Sequence, residues 1–415
     1  MIRARSISLI CLCLTFAFCS SVTVFGEDSP LSPVHNFVAE GRLKKNVDFW
    51  ISIYSQYGTD QGLIHDSKYV DVVYEVVSPP SARLIRESKQ RWRKVLLSLH
   101  RKQAEPSTWT EDERRAFVLF QNVYEGDKFL KASHRKRVRF QLGQKDRFRE
   151  GLVESGRYLS FMEDIFRREG LPVELTRLPF VESSFNTRAR SKVGASGVWQ
   201  FMRSTGKLFL RIDDAVDERN DPIRATEAAA QLLRVNYESL GKWPLAVTAY
   251  NYGRKGMMRA VRLAGTDDID YLMHNYAART FGFASSNFYS ELLAAIQVEK
   301  NAEAHFGAVQ RQPPLQFIEA RIPDYVDFRD LAQLMKFDYA ELKRLNPGLS
   351  DWVFSGIRLI PKGYRLRLPY DGSLDREAAT RLFFAGYSAI PDVYKLRSQH
   401  KGKQPRKRLL GLSGK

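Results

Sequence analysis

The chain has 415 residues, 44% of them apolar and 12% aromatic, enough to bury a sizeable core and to exclude wholesale disorder. Lys and Arg number 65 against 47 for Asp and Glu, and the formal charge of +18 favours an anionic partner: nucleic acid, anionic lipid or an acidic cell-wall polymer. The length predicts two or three domains.

Residues 1–26 read as a secretory signal peptide. Arg3 and Arg5 precede an apolar run from Ile7 to Phe18, and small or compact residues follow up to Gly26, after which cleavage is expected. The run is short for a bilayer core of ~30 Å. An uncleaved anchor is the alternative; lipidation at Cys19 is disfavoured by bulky Phe18 before it. Cleavage would remove Cys11, Cys13 and Cys19, all the cysteines of the chain, so no disulfide, thiolate nucleophile or thiolate metal site is expected. Export also counts against nucleic acid as the main partner, and no stable membrane span is expected once the signal is gone.

An exposed leader over 27–40 precedes a helical N-terminal region, assigned to 27–134. Leu43, Val47, Trp50, Tyr54 and Tyr57 recur at three- and four-residue steps and predict a helix with one apolar face. Ser107 to Phe120 predicts another. The basic stretch from Lys128 to Arg149, with Phe140 and Phe148 interleaved, predicts an amphipathic helix with a solvated charged side. Asp221-Pro222 supplies an N-cap and a first-turn proline for an alanine-rich helix that stops at Gly241. Pro244 opens the next one, carrying Leu245, Val247, Ala249 and Tyr250. After a break at Arg311 to Pro314, residues 315–370 predict an α+β segment: an extended start over 315–322, two short helices, and a strand at Arg365 to Leu368. A last helix and a basic tail, expected to be disordered from His400, fill 371–415.

Several chemistries find no support. The histidines are too dispersed for a local zinc motif, no P-loop spacing is present, and Gly194-Ala195-Ser196-Gly197 is one residue short of a nucleophile elbow. No metal or cofactor is expected. The informative stretch runs from Leu171 to Gln200. Val173, Leu175, Leu178 and Val181 form an apolar face that ends at Glu182, whose neighbours Phe180, Val181 and Phe185 would solvate a carboxylate poorly and raise its pKa. Such a group can donate a proton near neutral pH. By spacing alone, a helix-end glutamate is better read as an exposed or capping residue.

Glu182-Ser183, then Ser191, Gly194-Ala195, Gly197 and Gln200, then Ala249-Tyr250-Asn251 and Gly253, resemble the soluble lytic transglycosylase family with its goose-type lysozyme-like fold. Gly170-Leu171-Pro172, Trp199-Gln200-Phe201-Met202, Asp217-Glu218-Arg219 and Asp221-Pro222 resemble its membrane-bound lytic murein transglycosylase D branch. The resemblance implies a mainly α chain: a helical N-terminal region, a lysozyme-like catalytic domain over 135–310, and a small degenerate LysM-like α+β segment over 315–370. It implies peptidoglycan as substrate and an exported, periplasmic or envelope-associated enzyme that cleaves between N-acetylmuramic acid and N-acetylglucosamine without water, leaving 1,6-anhydromuramic ends. Glu182 would act as acid and then base. Ser191 would orient its carboxylate, and Gly197 would let the backbone approach the sugar. Trp199 would offer a stacking face and Gln200 would meet an N-acetyl group. Tyr250, Asn251 and Tyr289 would line the cleft. The altered surroundings of Tyr289 and the basic tail keep open an alternative, a non-enzymatic peptidoglycan-binding scaffold.

Overall fold

The computed structural model describes residues 37–390 and 395–396. The expected signal peptide, most of the leader and the basic tail lie outside them. The described chain is mainly helical with small antiparallel sheets.

The first helix, α1 (Gly41–Ser55), buries Leu43, Val47, Trp50 and Tyr54 as their spacing predicts. Beyond it the region departs from an all-helical reading. Strands β1 (Gly62–Asp66) and β2 (Val73–Val77), helix α2 (Ala82–Arg101) and strand β3 (Val138–Leu142) make a three-stranded antiparallel sheet in the order β2-β1-β3 with a helix against it. The helix expected over Lys128 to Arg149 is instead a short helix, β3, and α3 (Lys145–Ser155). The physical reason is tertiary. All five residues of β1 are buried, so its peptide groups need ladder partners on both sides, and Val138 to Leu142 supply the second. Gly143 then allows the turn into α3, where a Cβ would collide with the Tyr57 and Gly58 carbonyls.

A boundary near 134 does not separate the cores. The sheet and α2 pack around Trp92, Tyr74, Phe120 and Phe129, whereas α1 joins the large helical core that follows. That core is built from α4 (Leu159–Arg168), α5 (Leu178–Ser183), α6 (Pro222–Leu240), α7 (Trp243–Tyr252) and α8 (Phe283–Lys300). Asp221 caps α6 as expected, accepting from the N–H groups of Ile223 and Arg224 at 3.0 and 3.2 Å, and Gly241 ends it in the left-handed region. On α8, Asn287 Oδ1 accepts from Trp50 Nε1 (3.2 Å) and Asn46 Nδ2 (3.3 Å), which pins α1 to the large helical core.

The C-terminal unit has its own core, with β4 (Phe317–Arg321) antiparallel to β5 (Arg365–Pro369). Three short helices lie between them, one more than expected, of which α9 (Tyr339–Leu345) and α10 (Asp351–Phe354) face the large helical core. The last helix, α11 (Arg376–Ala389), follows. This unit is fastened rather than tethered. Arg367 of β5 donates to Asp221 at 2.8 Å with both side chains buried, and Arg224 pairs with Glu319. The Asp217 and Ser350 N–H groups donate to the carbonyls of Gly348 and Ala215 at 2.8 and 2.9 Å. Among the described residues no helix is long and apolar enough to cross a membrane.

Candidate active site

The α5 helix carries Leu178, Pro179 and Phe180 into the core and stops abruptly after Ser183. Ser184 and Phe185 both take left-handed backbone angles, φ 51° and 57°. A bulky residue there costs on the order of 1–3 kcal/mol. Burial of the Phe185 ring, 4.6 Å from that of Phe180, holds the conformation. Ser183 Oγ bonds the Pro179 and Val198 carbonyls at 3.2 and 3.0 Å, so the helix end is stitched to the following loop. Glu182 thus sits in the last turn of a rigid element, half-buried.

Its surroundings are aromatic and carboxylic. Burial pushes the Glu182 carboxyl up to about 8, so at neutral pH it holds its proton. Glu291, on α8, is likewise pushed up to about 8, first by burial and then by the charge of Glu182; Arg139 of β3 opposes this. Burial raises the Tyr54 and Tyr250 hydroxyls well above their ordinary value; carboxylate charge adds to this, from Glu291 and Glu182 at Tyr54 and from Glu182 at Tyr250. Arg139 lies 3.9 Å from the centre of the Phe283 ring. His65, buried behind it, is held neutral with a pKa lowered to about 3, by burial and then by Arg139. Chemically, the arrangement offers a protonated acid in a poorly solvating setting. No group of three or more His, Cys, Asp or Glu side chains able to hold a metal is present among the described residues.

The other residues singled out in the sequence divide into two sets. Tyr250 is near Glu182, half-buried, and its hydroxyl donates to the Trp199 carbonyl at 2.9 Å. Asn251 is exposed one residue on, its Oδ1 accepting from Ser285 Oγ at 2.7 Å. Gln200, at φ 47°, donates its amide N–H groups to the Gly197 and Ala189 carbonyls (2.8 and 3.3 Å). Ser191 Oγ accepts from the Ala195 N–H at 2.9 Å and makes no bond to Glu182.

Beside the orienting role expected of Ser191, three expectations need correction or narrowing. Trp199 offers no face to a sugar: it is wholly buried, stacked near Phe166 (6.0 Å, 5° between planes), with Nε1 donating to Thr226 Oγ1 at 2.8 Å. Gly197, at φ 77°, is small because its own chain crosses there. A Cβ would overlap the Arg219 carbonyl oxygen. Tyr289 lies in the core at 2% exposure rather than on an open surface. The residues that went unnoticed are Glu291 and Arg139. Glu291 had one signal, a charge inside the apolar run Phe288 to Ala295. Arg139 had none beyond its place in a basic stretch.

Residues 161–273 match the family model of the transglycosylase SLT domain. The membrane-bound lytic murein transglycosylase D of Escherichia coli, in strain K12 and in strain CFT073, is 31% identical over 141 residues, which is 30% of this chain and 31% of that protein. The chain thus spans about a third of the length of these curated relatives. A lytic transglycosylase Slt structure from Pseudomonas aeruginosa aligns with 54% of this chain and 32% of its own, at 17% identity and a TM-score of 0.30.

Proposed function

We propose that the chain, whose residues 161–273 match the family model of the transglycosylase SLT domain, is a peptidoglycan lytic transglycosylase of the cell envelope, with Glu182 as its acid and base. Protonated Glu182 gives its proton to the oxygen joining N-acetylmuramic acid to N-acetylglucosamine, and that C–O bond breaks. The resulting carboxylate takes the proton of the muramyl C6 hydroxyl as its oxygen closes on C1. The products are a free N-acetylglucosamine end and a 1,6-anhydromuramic end; no water is consumed, and Glu182 is again protonated. Tyr250, Asn251 and Gln200 line the sugar side, and Ser191 supports the loop.

One observation carries this reading: the carboxyl of Glu182, inside the matched stretch, is pushed up to about 8 by burial and so is an acid at neutral pH. Glu291 supports it indirectly. A hydrolytic glycosidase needs an ionised second carboxylate to activate water or attack the sugar. Glu291 is held protonated as strongly as Glu182, which suits a nucleophile supplied by the substrate. The α+β unit over 315–370 is proposed as the LysM-like segment.

The test is incubation of the purified chain with intact sacculi and mass spectrometry of the released fragments, beside Glu182→Gln. Anhydromuropeptides from the parent and a loss of about 10² to 10⁴ in rate for the variant are expected. Hydrated reducing ends would make the enzyme a muramidase. Retained binding with no release would make it the scaffold.

A further inference from the structure

A cavity of about 1290 Å³ lies beside the candidate site and is not lined by Glu182. It begins at the next residue, Ser183, and runs along the other side of the 183–190 loop to the C-terminal unit. Its walls are α3, that loop, the 213–220 loop, and α9 and α10. The two halves are fastened along its floor, where Ser350 Oγ donates to the Asp214 carbonyl at 2.7 Å and Arg358 pairs with the Asp214 carboxylate at 3.0 Å. The groove is therefore preformed.

Its charge is not what a simple count of lining residues suggests. The acids are mostly spoken for: Glu154 pairs with Arg157, Asp213 with Arg211, Asp214 with Arg358 and Asp217 with Arg219, at 2.7 to 3.1 Å. Arg147, Arg188, Arg190 and Arg203 also line the groove, are exposed, and make no ion pair among the described residues. Glu150 is the unpaired acid among them. Trp352, 49% exposed, stands on the C-terminal wall of the same groove.

We infer that this groove is a second, non-catalytic binding site for a glycan strand bearing peptides, with the four free guanidiniums meeting peptide carboxylates and the indole of Trp352 covering a sugar face. The inference rests on peptidoglycan being the substrate. A guanidinium fork binds a carboxylate through two N–H groups at once, and an exposed indole gives a flat apolar surface at low entropic cost. Peptidoglycan stem peptides carry carboxylates and an amino group, which fits four free arginines beside one free glutamate better than a uniformly anionic polymer does. The site would keep the enzyme on the wall between cleavage events, a task that falls to it if the C-terminal segment is a degenerate LysM.

The full chain carrying Glu182→Gln, which removes turnover, is sedimented with insoluble sacculi at low and high salt. Three further variants are compared on that background, Arg147→Glu, Arg203→Glu and Trp352→Ala, all at exposed positions and each checked for an unchanged unfolding midpoint. Arg188→Glu replaces any that unfolds. Each is expected to weaken binding about tenfold, a loss of about 1.4 kcal/mol. The arginine variants should lose the salt-dependent part. Sacculi stripped of stem peptides should bind the parent at least as weakly as intact sacculi bind the arginine variants, and Trp352→Ala should weaken the remaining binding further. Equal binding by parent and variants, no dependence on stem peptides, or no binding by the parent overturns the inference. Because binding is read without turnover, a failure of the parent enzyme to release anhydromuropeptides would sink the catalytic reading separately.

Discussion

Glu182 on α5 and Glu291 on α8 are both pushed up to about 8 by burial, and the negative charge of Glu182 adds to the rise at Glu291. At neutral pH both hold protons, so the acid required for the first chemical step is already formed. The rate, followed as kcat/KM on a soluble glycan fragment, should be flat at neutral pH and fall as pH rises through about 8. A falling limb near pH 5 would mean that Glu182 is ionised in the free enzyme and would remove the acid role.

The same burial has an opposite effect on stability. In the unfolded chain these carboxyls lose their protons at the ordinary value of 4.5, whereas folding holds them to about 8. Between those values the folded state binds more protons, so stability is full below the unfolded pKa and falls as pH rises through the folded pKa. Glu182→Gln should therefore raise the thermal midpoint at pH 8 by several degrees and leave it nearly unchanged at pH 4. Calorimetry at the two pH values reads this directly.

Gly197→Ala should be among the most damaging single substitutions in the chain. The new methyl would overlap the Arg219 carbonyl oxygen, and the φ of 77° is unfavourable for any residue with a Cβ. A loss of at least about 4 kcal/mol is expected, visible as a large drop in midpoint or as insoluble protein. A variant as stable as the parent would show that the loop can move aside.

The buried pair Asp221–Arg367 gives a further test. Removing one partner leaves a charge stranded between the catalytic core and the C-terminal unit, at a cost of about 3–5 kcal/mol. Arg367→Met should show that loss in chemical denaturation. Adding Asp221→Asn, which keeps an N-cap for α6, should restore much of it. If the single variant costs little, the two units are held together by their backbone bonds and the other pairs.

Where the physics is local, the sequence was readable. The apolar face of α1, the Asp221-Pro222 start and Gly241 stop of α6, and the two strands bounding the C-terminal unit all follow from spacing and capping residues. The sheet was not, because β3 exists only to pair with buried β1, and nothing within Val138 to Leu142 announces that partner. Trp199 and Gly197 were misjudged for a related reason. A motif residue looks the same in sequence whether it touches substrate or supports the loop that does, and both turn out to support it. Ser184 and Phe185 are readable only in three dimensions, since neither residue type signals a left-handed backbone.

The position of β3 bears on how this catalytic unit can be handled. Tyr54 and Glu291, which feel the charge of Glu182, and Arg139, which opposes the rise at Glu291, all fall outside residues 161–273. A fragment trimmed to the matched stretch would keep the acid and lose its neighbours: Glu182 would meet water where α1 and α8 now stand, and would become an ordinary ionised glutamate. Transplanting this chemistry into another scaffold, or searching genomes for its equivalents, therefore calls for a unit reaching from about residue 41 to residue 300.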